Sequence, residues 1–312
     1  MVTPEISVII PTYNRAAILE RTIRALCERQ VGEVPFWELI VVNDGSTDGT
    51  QELLHRLEKR YVGRLHAFHQ DNQKQGAARN TGMRYAKGGL FVFLGDDIIP
   101  DTRFLSSHWL SYEAAGRPRG YAAIGRTSWH PEIKKTPFKE WINEWGHQFG
   151  FRLIKNPDCV PFNFFYTSNL AFSRDLYVDF GGFNESFKEY GWEDIELGYR
   201  YAQKGKMRLR FVPKAIAFHH HGISLTTFCR RQYKVGYSAV LFDRLHPELA
   251  DFLKARTPRP KSIIPKPLLD LTARLLEYGD ERMGLDLNII TKVLLNQYYR
   301  LGILEAQQDS QI

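Results

Sequence analysis

The chain contains 312 residues, of which 43% are hydrophobic, 25% charged and 13% aromatic. This composition is typical of a globular protein and excludes a collagen-like, low-complexity or largely disordered chain. Lysine and arginine number 42 against 35 acidic residues, so the formal net charge is +7 and an anionic partner is expected. Because no apolar run approaches the roughly 18 residues of a bilayer span, we predict a cytoplasmic protein.

Strands and helices alternate in the first third of the chain. Four apolar runs predict buried strands, at residues 6–10, 39–42, 65–68 and 90–94. Apolar residues at helical spacing predict helices between them, after Asn14 and near residues 47–60 and 76–86. This alternation predicts an α/β fold with a mostly parallel central sheet.

The later part of the chain is less regular. Residues 116–161 are rich in glycine, proline and aromatic residues and are predicted to be irregular, with short helices. A further strand is predicted to begin near Leu209 and to run towards His219. Beyond it the apolar spacing is helical, so residues 223–312 are predicted to form a C-terminal helical appendage.

Polar residues follow three of the predicted strands, at residues 12–15, 43–46 and 96–97. Ligands of such sheets bind at the carboxyl ends of the strands, where these segments converge. No G-x-G-x-x-G or P-loop motif follows a strand, which disfavours dinucleotide and P-loop chemistry. The pair Asp96–Asp97 directly follows a buried strand and suits a cation; the alternative is a solvated strand end or a helix cap.

A second acidic segment runs from Gly191 to Leu197 and contains Trp192, Glu193 and Asp194. If a helix begins at Glu193, these carboxylates lie in its first turn, where the helix dipole favours the ionised form. An ionised carboxylate can accept a proton from a substrate hydroxyl. The alternative interpretation is that these acids only cap the helix.

Three consecutive histidines, His219 to His221, end the last predicted strand. Alternation along a strand puts His219 and His221 on the face opposite to His220, so the run cannot act as a single ligand cluster. Imidazole suits a mixed nitrogen and oxygen site for Mn²⁺, whereas a lone histidine is more often structural.

Taken in order, these segments resemble the family 2 glycosyltransferases of the GT-A fold, which are inverting enzymes that use nucleotide-sugar donors. The resemblance covers about residues 5–245 and rests on six motifs. They are Pro-Thr-Tyr-Asn-Arg at 11–15, Val-Asn-Asp-Gly-Ser-Thr-Asp-Gly-Thr at 42–50, Gln-Gly-Ala-Ala-Arg-Asn at 75–80, the acidic turn after Phe93, Gly-Gly-Phe-Asn-Glu at 181–185 and Glu193-Asp194.

The resemblance implies a donor site for a nucleotide-sugar, with a UDP-sugar favoured. The residues it implies for nucleotide and donor contacts are Pro11, Thr12, Tyr13, Arg15, Asp44, Arg79 and Asp96. Among them, Asp44 would accept the imide hydrogen of uracil and Arg79 would lie near the diphosphate. Asp97 and His219 would hold Mn²⁺ or Mg²⁺, with His221 as the fallback ligand. The sequence departs from the common D-x-D pattern, because Gly95 stands at the first position.

The resemblance also implies a mechanism. The metal would stabilise the departing diphosphate, and Asp194 would act as the base in a single displacement that inverts the anomeric centre. Trp192, Glu193 and Asn169 are the candidate acceptor contacts, although Trp192 could equally pack beneath the base loop.

Three parts are predicted on this basis: a nucleotide-sugar-binding half at residues 1–115, an acceptor-binding half at 116–222 and the helical region at 223–312. The Gln-x-x-Arg-Trp pattern and membrane spans of processive synthases are missing, so transfer of one sugar per encounter is predicted. The expected product is a cell-surface polysaccharide or a related glycan.

The expected partners are the donor and a glycan or lipid-linked acceptor, and no nucleic acid. Nine basic residues against three acids between Phe228 and Lys266 also suggest peripheral contact with an anionic membrane, or simply a solvated basic face. Two other functions compete with sugar transfer. They are a sugar-phosphate nucleotidyltransferase, which would normally carry a glycine-rich basic opening loop, and a non-catalytic module that binds nucleotides or nucleic acid.

Overall fold

The computed structural model of the protein describes residues 3–146, 148–204, 206–256 and 264–309. These residues group into two compact units. The first unit comprises the described residues of Met1–Ile133, Phe151–Glu185 and Asp194–His221. The second comprises those of Lys134–Gly150, Ser186–Glu193 and Gly222–Ile312.

The first unit contains the whole sheet found among the described residues. Its strands are β1 (Ile6–Thr12), β2 (Trp37–Asp44), β3 (Leu65–Gln70), β4 (Leu90–Leu94), β5 (Ile98–Pro100), β6 (Tyr121–Trp129), β7 (Asn169–Ser173) and β8 (Arg208–His219). The α-helices among the described residues are α1 (Ala16–Arg29), α2 (Thr50–Arg60), α3 (Gln75–Tyr85), α4 (Phe104–Ala114), α5 (Pro137–Glu144), α6 (Arg174–Phe180), α7 (Glu193–Lys204), α8 (Leu225–Leu245), α9 (Ala250–Leu253), α10 (Lys266–Met283) and α11 (Asn288–Asp309).

The eight strands form one sheet in the order β3-β2-β1-β4-β7-β6-β8-β5. Strands β3, β2, β1 and β4 pair in parallel, as do β6 and β8, whereas β7 runs antiparallel to both β4 and β6. The predicted α/β class with a mostly parallel central sheet is confirmed. Strands β2 and β4 are buried along their whole length, which explains the continuous apolar runs at residues 39–42 of β2 and 90–94 of β4.

Three strands, β5, β6 and β7, were not predicted from the sequence. Strand β6 lies in the segment that we expected to be irregular. Its residues mix alanine, glycine and polar side chains without a period of two, so no strand pattern is recognisable there. Gly125 of β6 is needed there, since a Cβ atom would lie 2.4 Å from the Ala215 carbonyl oxygen of β8. Strand β5 has only three residues and pairs with the end of β8.

The strand register brings several polar chain segments to one edge of the sheet. Thr12 at the end of β1 pairs with Asn43 near the end of β2. Leu94, the last residue of β4, pairs with Asn169, the first residue of β7. The loops that follow β1, β2 and β4, and the segment that precedes β7, therefore meet at the carboxyl edge of the parallel strands.

The second unit is built mainly of helices, among which α8 and α11 pack very closely. A Cβ atom at Gly236 of α8 would lie 1.9 Å from the carbonyl oxygen of Tyr299, and one at Gly302 of α11 would lie 1.9 Å from that of Tyr233. Only glycine allows the two backbones this approach. Among the described residues, no helix is both long enough and apolar enough to cross a membrane.

Candidate active site

The turn between β4 and β5 carries the two acidic residues singled out from the sequence. Thr12 Oγ1 donates to Asp96 Oδ2 at 2.9 Å, which links the ends of β1 and β4. The Arg15 guanidinium forms an ion pair with Asp97 and lies 3.8 Å from Asp96 Oδ1. Thr22 of α1 donates to the Asp96 carbonyl oxygen at 3.0 Å. Two carboxylates and one guanidinium are therefore held at a single strand end.

The two neighbouring carboxylates differ in their electrostatic surroundings. Burial and the negative charge of Asp97 raise the pKa of Asp96. Burial also tends to raise the pKa of Asp97. The hydrogen bond from His219 and the charges on His219 and Arg15 outweigh this effect and lower the pKa of that carboxyl. Asp97 is thus the carboxylate that stays ionised and able to bind a cation.

His219 at the end of β8 lies against Asp97, with its Nε2 atom 3.3 Å from Asp97 Oδ2. Its ring stacks on Trp129 with the ring centres 5.3 Å apart, and the His221 ring centre lies 6.0 Å away. His220 instead contacts Glu132, with 2.7 Å between His220 Nε2 and Glu132 Oε2. As strand alternation predicts, His219 and His221 lie on one side and His220 on the other.

His130, Glu132 and His220 form a second group of possible metal ligands, whose ligand atoms lie within 4.8 Å of one another. Arg21 already supplies a positive charge to this group. Its two terminal nitrogens contact the two Glu132 oxygens at 3.0 and 2.9 Å. The hydrogen bonds from Arg21 and His220 lower the pKa of Glu132 to about 2. The group therefore works as an ion-pair network around Arg21.

Gly95 occupies the position where many proteins of the resembling family have the first acid of D-x-D. A Cβ atom at this position would lie 2.8 Å from Ile98 Cγ1 and 3.2 Å from Asp97 Oδ1. Ile98 is buried in β5, so it cannot simply move into solvent. The tight turn explains why glycine replaces the first acid of D-x-D, since any side chain at position 95 would crowd the Asp97 carboxylate.

The loops after β1 and β2 contain the residues predicted to bind the nucleotide. Tyr13 is 47% exposed, whereas Thr12 is buried and Pro11 is half-buried. Asp44 is buried; its Oδ1 accepts hydrogen bonds from Gln70 Nε2 at 2.8 Å and the Gln73 amide at 2.9 Å, and its Oδ2 accepts one from the Lys74 amide at 2.9 Å. Asp44 thus shapes the start of α3, and Tyr13 presents an exposed ring.

Asn14 ties these two loops together, a role that sequence reasoning missed. It has a left-handed backbone conformation with φ of 53°, which asparagine tolerates better than most residues. Its amide donates to Ser46 Oγ at 2.9 Å and its Oδ1 accepts from the Thr47 amide at 2.7 Å. The asparagine in the Pro-Thr-Tyr-Asn-Arg segment was the available signal, because asparagine favours such turns.

Asp194, the predicted base, lies in the first turn of α7. Its Oδ1 accepts from the Ile195 amide at 2.8 Å, and its Oδ2 accepts from the Thr167 amide at 3.3 Å. Thr167 stands two residues before Asn169, which pairs with Leu94 at the end of β4. The sheet therefore brings Asp194 to the same edge as the acidic turn at residues 96–97.

The Gly-Gly-Phe-Asn-Glu turn at residues 181–185 is hydrogen-bonded to both α3 and α7. Asn80 of α3 exchanges two hydrogen bonds with the Phe183 backbone, at 2.9 and 2.8 Å. Arg200 of α7 donates to the Gly182 carbonyl and to Glu196 Oε1, the latter at 2.8 Å. The guanidinium of buried Arg79 lies 5.3 Å from the Phe183 ring centre. Asn80 and Arg200 are positioning residues that the sequence did not reveal.

The candidate acceptor residues Asn169, Trp192 and Glu193 are largely enclosed by other residues. Asn169 is fully buried, and its Nδ2 donates to the Ala215 carbonyl at 2.9 Å while its Oδ1 lies 2.8 Å from His108 Nε2. In the second unit, Trp192 donates to the Val235 carbonyl at 2.8 Å and packs against Phe242. Glu193 is also buried. Asn169 belongs to the interior of the sheet, and Trp192 is engaged in packing.

Known glycosyltransferases are similar in sequence to this chain. The model of glycosyl transferase family 2 matches residues 7–180, and a model described as the N-terminal domain of galactosyltransferase matches residues 159–222. Validoxylamine A glucosyltransferase of Streptomyces hygroscopicus subsp. jinggangensis is 29% identical over 79% of this chain and 62% of its own length. Chondroitin synthase of Escherichia coli is 30% identical over 69% of this chain and 34% of its own length. The chain thus spans less than two thirds of either relative.

Among solved structures, the mannosyltransferase PcManGT of Pyrobaculum calidifontis, in complex with GDP-Man and Mn²⁺, is similar over 99% of this chain and 88% of its own. The TM-score is 0.62 at 18% sequence identity, so this likeness concerns the fold. It confirms the predicted GT-A fold. Since the family model covers more than half of the chain, the protein belongs to glycosyl transferase family 2.

Proposed function

We propose that the protein is a metal-dependent, inverting glycosyltransferase that moves one sugar from a nucleotide-sugar to a hydroxyl group of a glycan or lipid-linked acceptor. The observation that carries this proposal is the strand register described above. It brings the acidic turn at residues 96–97, the His219 imidazole and the Asp194 carboxylate to one edge of the sheet. A metal site and a base at one edge are what a single displacement requires.

The donor set fits a divalent cation. Asp97 offers an ionised carboxylate and His219 an imidazole nitrogen 3.3 Å from it, a mixed oxygen and nitrogen set that suits Mn²⁺. A cation bound there would act as a Lewis acid towards the departing diphosphate. Arg15, which pairs with Asp97, adds a further positive charge beside the phosphates. Asp96, the less readily ionised carboxyl, would contact the ribose or the sugar.

The nucleotide is proposed to lie along the loops after β1 and β2. Exposed Tyr13 would stack on the base, and Asp44 would accept its imide hydrogen. The preference for uridine rests on the family resemblance, since both Asp44 oxygens already accept hydrogen bonds within the protein and PcManGT was solved with GDP-Man. Arg79, at the start of α3, would assist the diphosphate. Both uridine and guanosine donors therefore belong in the test.

Asp194 is proposed to act as the base. Two backbone amides donate to its carboxylate at the start of α7, and both stabilise the ionised form. In that form it would accept the proton of the attacking hydroxyl as the new glycosidic bond forms. One displacement inverts the anomeric configuration and needs no covalent glycosyl-enzyme.

The acceptor is proposed to belong to a surface polysaccharide or a related glycan, and transfer to be non-processive. Chondroitin synthase among the relatives supports a glycan product. Membership of the family favours sugar transfer over the nucleotidyltransferase and over a non-catalytic module.

A donor screen tests this proposal. UDP-, GDP- and dTDP-sugars are added with and without Mn²⁺, thermal stability is measured, and release of nucleoside diphosphate is then followed for each donor that binds. We expect stabilisation by a UDP-sugar only when Mn²⁺ is present, and slow hydrolysis of the same donor. Selective binding of GDP-sugars would overturn the uridine assignment. Donor binding that is the same with and without Mn²⁺ would overturn the assignment of the metal site.

A further inference from the structure

Exposed apolar side chains are concentrated on the last two helices of the second unit. Among the described residues, 21 large apolar side chains are exposed, and nine of these lie between positions 268 and 293. They are Leu268, Leu271, Leu275, Tyr278, Met283, Leu285, Ile289, Ile290 and Val293. We call these nine residues the α10–α11 apolar surface. A cluster of this kind marks an interaction site more often than chance exposure does.

Helix α10 has two apolar faces. Leu269, Ala273 and Leu276 are buried inside the second unit. The exposed residues Leu268, Leu271, Leu275 and Tyr278 follow one another at intervals of three and four residues, so they form a stripe on a different side of the same helix. A helix that only covers a core needs one such face, and the second stripe is therefore available to an outside partner.

Helices α10 and α11 form an antiparallel hairpin. Gly284, in the left-handed conformation with φ of 65°, ends α10, and α11 begins at Asn288. Tyr298 of α11 donates its hydroxyl hydrogen to Asp270 near the start of α10 at 2.5 Å, which requires the helices to run in opposite directions. Ile289, Ile290 and Val293 consequently lie near the same end of the hairpin as Tyr278 and Met283.

Basic side chains that form no direct ion pair accompany the apolar surface. The side chains of Arg274, Arg282 and Lys292 are exposed and form no hydrogen bond or ion pair with any residue that the structure describes. Two acids of α10 are engaged within the second unit, whereas Asp286, in the turn after α10, is exposed. Glu277 accepts from the Thr226 amide at 2.7 Å, and Asp280 accepts from the Phe138 amide at 2.9 Å. The surface therefore combines apolar side chains with three basic groups that have no direct ion-pair partner.

Three of the nine basic residues between Phe228 and Lys266, where the sequence suggested membrane contact, form ion pairs. Lys234 pairs with Glu189 at 3.0 Å, and Arg256 pairs with Asp243 at 2.8 Å. Lys266 pairs with Asp270 at 2.9 Å. Residues 257–263 of the stretch lie outside the described residues. Exposed basic side chains without a direct ion pair therefore occur both on α8, at Arg230 and Arg244, and on the α10–α11 hairpin, where they accompany the apolar surface.

We propose that the α10–α11 apolar surface, with Arg274, Arg282 and Lys292, docks the protein on an anionic phospholipid bilayer. Apolar side chains would enter the interface while the basic groups meet lipid phosphates. A second copy of the chain fits the charges less well, because a two-fold interface would bring like-charged arginines towards each other. The inference does not depend on the proposed chemistry of the active site.

Co-sedimentation with vesicles tests the proposal. The full chain is mixed with phosphatidylcholine vesicles that either contain or lack phosphatidylglycerol, at low and high KCl. We expect binding only to the anionic vesicles, weakened by salt. The variant Arg274→Glu/Arg282→Glu should partition about 30-fold more weakly, equivalent to about 2 kcal/mol. Leu275→Ser/Ile289→Ser should also reduce binding, without loss of thermal stability because both side chains are exposed.

Matched controls distinguish this surface from general charge or hydrophobicity. Lys59→Glu changes an exposed lysine on α2, and Val62→Ser changes a side chain that is 82% exposed in the first unit. Both should bind vesicles like the wild type. The proposal is overturned if the wild type does not bind anionic vesicles, or if the hairpin variants bind these vesicles as well as the control variants do. It is also overturned if the wild type is a dimer that Leu275→Ser/Ile289→Ser makes monomeric while vesicle binding persists.

Discussion

The imidazole of His219 lies 3.3 Å from the carboxylate of Asp97, while the next residue, His220, contacts Glu132 on the other side of β8. These adjacent histidines form a natural matched pair for experiment. Only one of them is close enough to share a cation with Asp97. The difference follows from the alternation of side chains along the strand.

Replacement of His219 by Gln should weaken the response to Mn²⁺. Loss of even an outer-shell partner costs about 10- to 100-fold in metal affinity, and a direct ligand should cost at least as much. The measurement is the Mn²⁺ concentration that gives half of the donor-induced thermal shift. His220→Gln is the control and should leave this concentration within about twofold. Equal effects of the two substitutions would remove His219 from the metal site.

Gly95→Asp restores the first acid of the D-x-D pattern in sequence only. Because a Cβ atom at position 95 would lie 2.8 Å from Ile98 Cγ1 and 3.2 Å from Asp97 Oδ1, we expect the new side chain to displace Asp97. The variant should bind Mn²⁺ more weakly, not more tightly, and Gly95→Ala should act in the same direction. Titration of Mn²⁺ at a saturating donor concentration measures this. Tighter binding in Gly95→Asp would contradict the steric argument.

Gly302→Ala should destabilise the protein by forcing α8 and α11 apart. The added methyl group would meet the Tyr233 carbonyl oxygen at 1.9 Å, and overpacking of this kind costs about 1–3 kcal/mol. Denaturant unfolding measures the change. Gly222→Ala is the control, since nothing lies within 4 Å of its Cβ position. Similar stability of the two variants would show that the helices tolerate a wider separation.

His108 should make stability depend on pH in the acidic range. Burial lowers its pKa to about 4 from a usual 6.5, although the hydrogen bond to Asn169 opposes this shift. Below pH 6.5 the unfolded chain binds a proton that the folded chain excludes, so the folded state loses stability until the pH reaches about 4. The loss amounts to roughly 3 kcal/mol.

The measurement is the free energy of unfolding at a series of pH values, compared between the wild type and His108→Gln. The variant has no titrating group at this position, so the difference between the two curves isolates His108. We expect that difference to change between pH 6.5 and 4. Parallel curves would show that the imidazole titrates normally in the folded protein.

Much of the fold could be predicted because the parallel strands are buried on both faces. Residues 39–42 of β2 and 90–94 of β4 are apolar on both faces, so continuous apolar runs identified these strands. Strand β6 was missed because its burial depends on β7 and β8, which pair with it across more than 40 positions of sequence. Its small and polar residues carry no local strand pattern.

The site was predictable to a similar degree. Asp96, Asp97 and His219 stand at strand ends, and strand ends are recognisable locally. Asn169 looked like a pocket residue in the sequence, yet its amide is enclosed by the Ala215 carbonyl and His108. Such partners are distant in sequence and give no local signal. The anchoring of the turn at residues 181–185 by Asn80 escaped prediction for the same reason.

The most direct test of the account is the rate of a single transfer event in Asp194→Asn, measured with saturating donor and acceptor. Asparagine keeps an oxygen for one of the two backbone amides that donate to Asp194, and it cannot accept the hydroxyl proton. We predict donor binding within about twofold of the wild type and a rate about 10²- to 10⁴-fold lower. Asp158→Asn, which changes an exposed carboxylate paired with Arg210, should transfer at the wild-type rate. A wild-type rate in Asp194→Asn would contradict the assignment of the base.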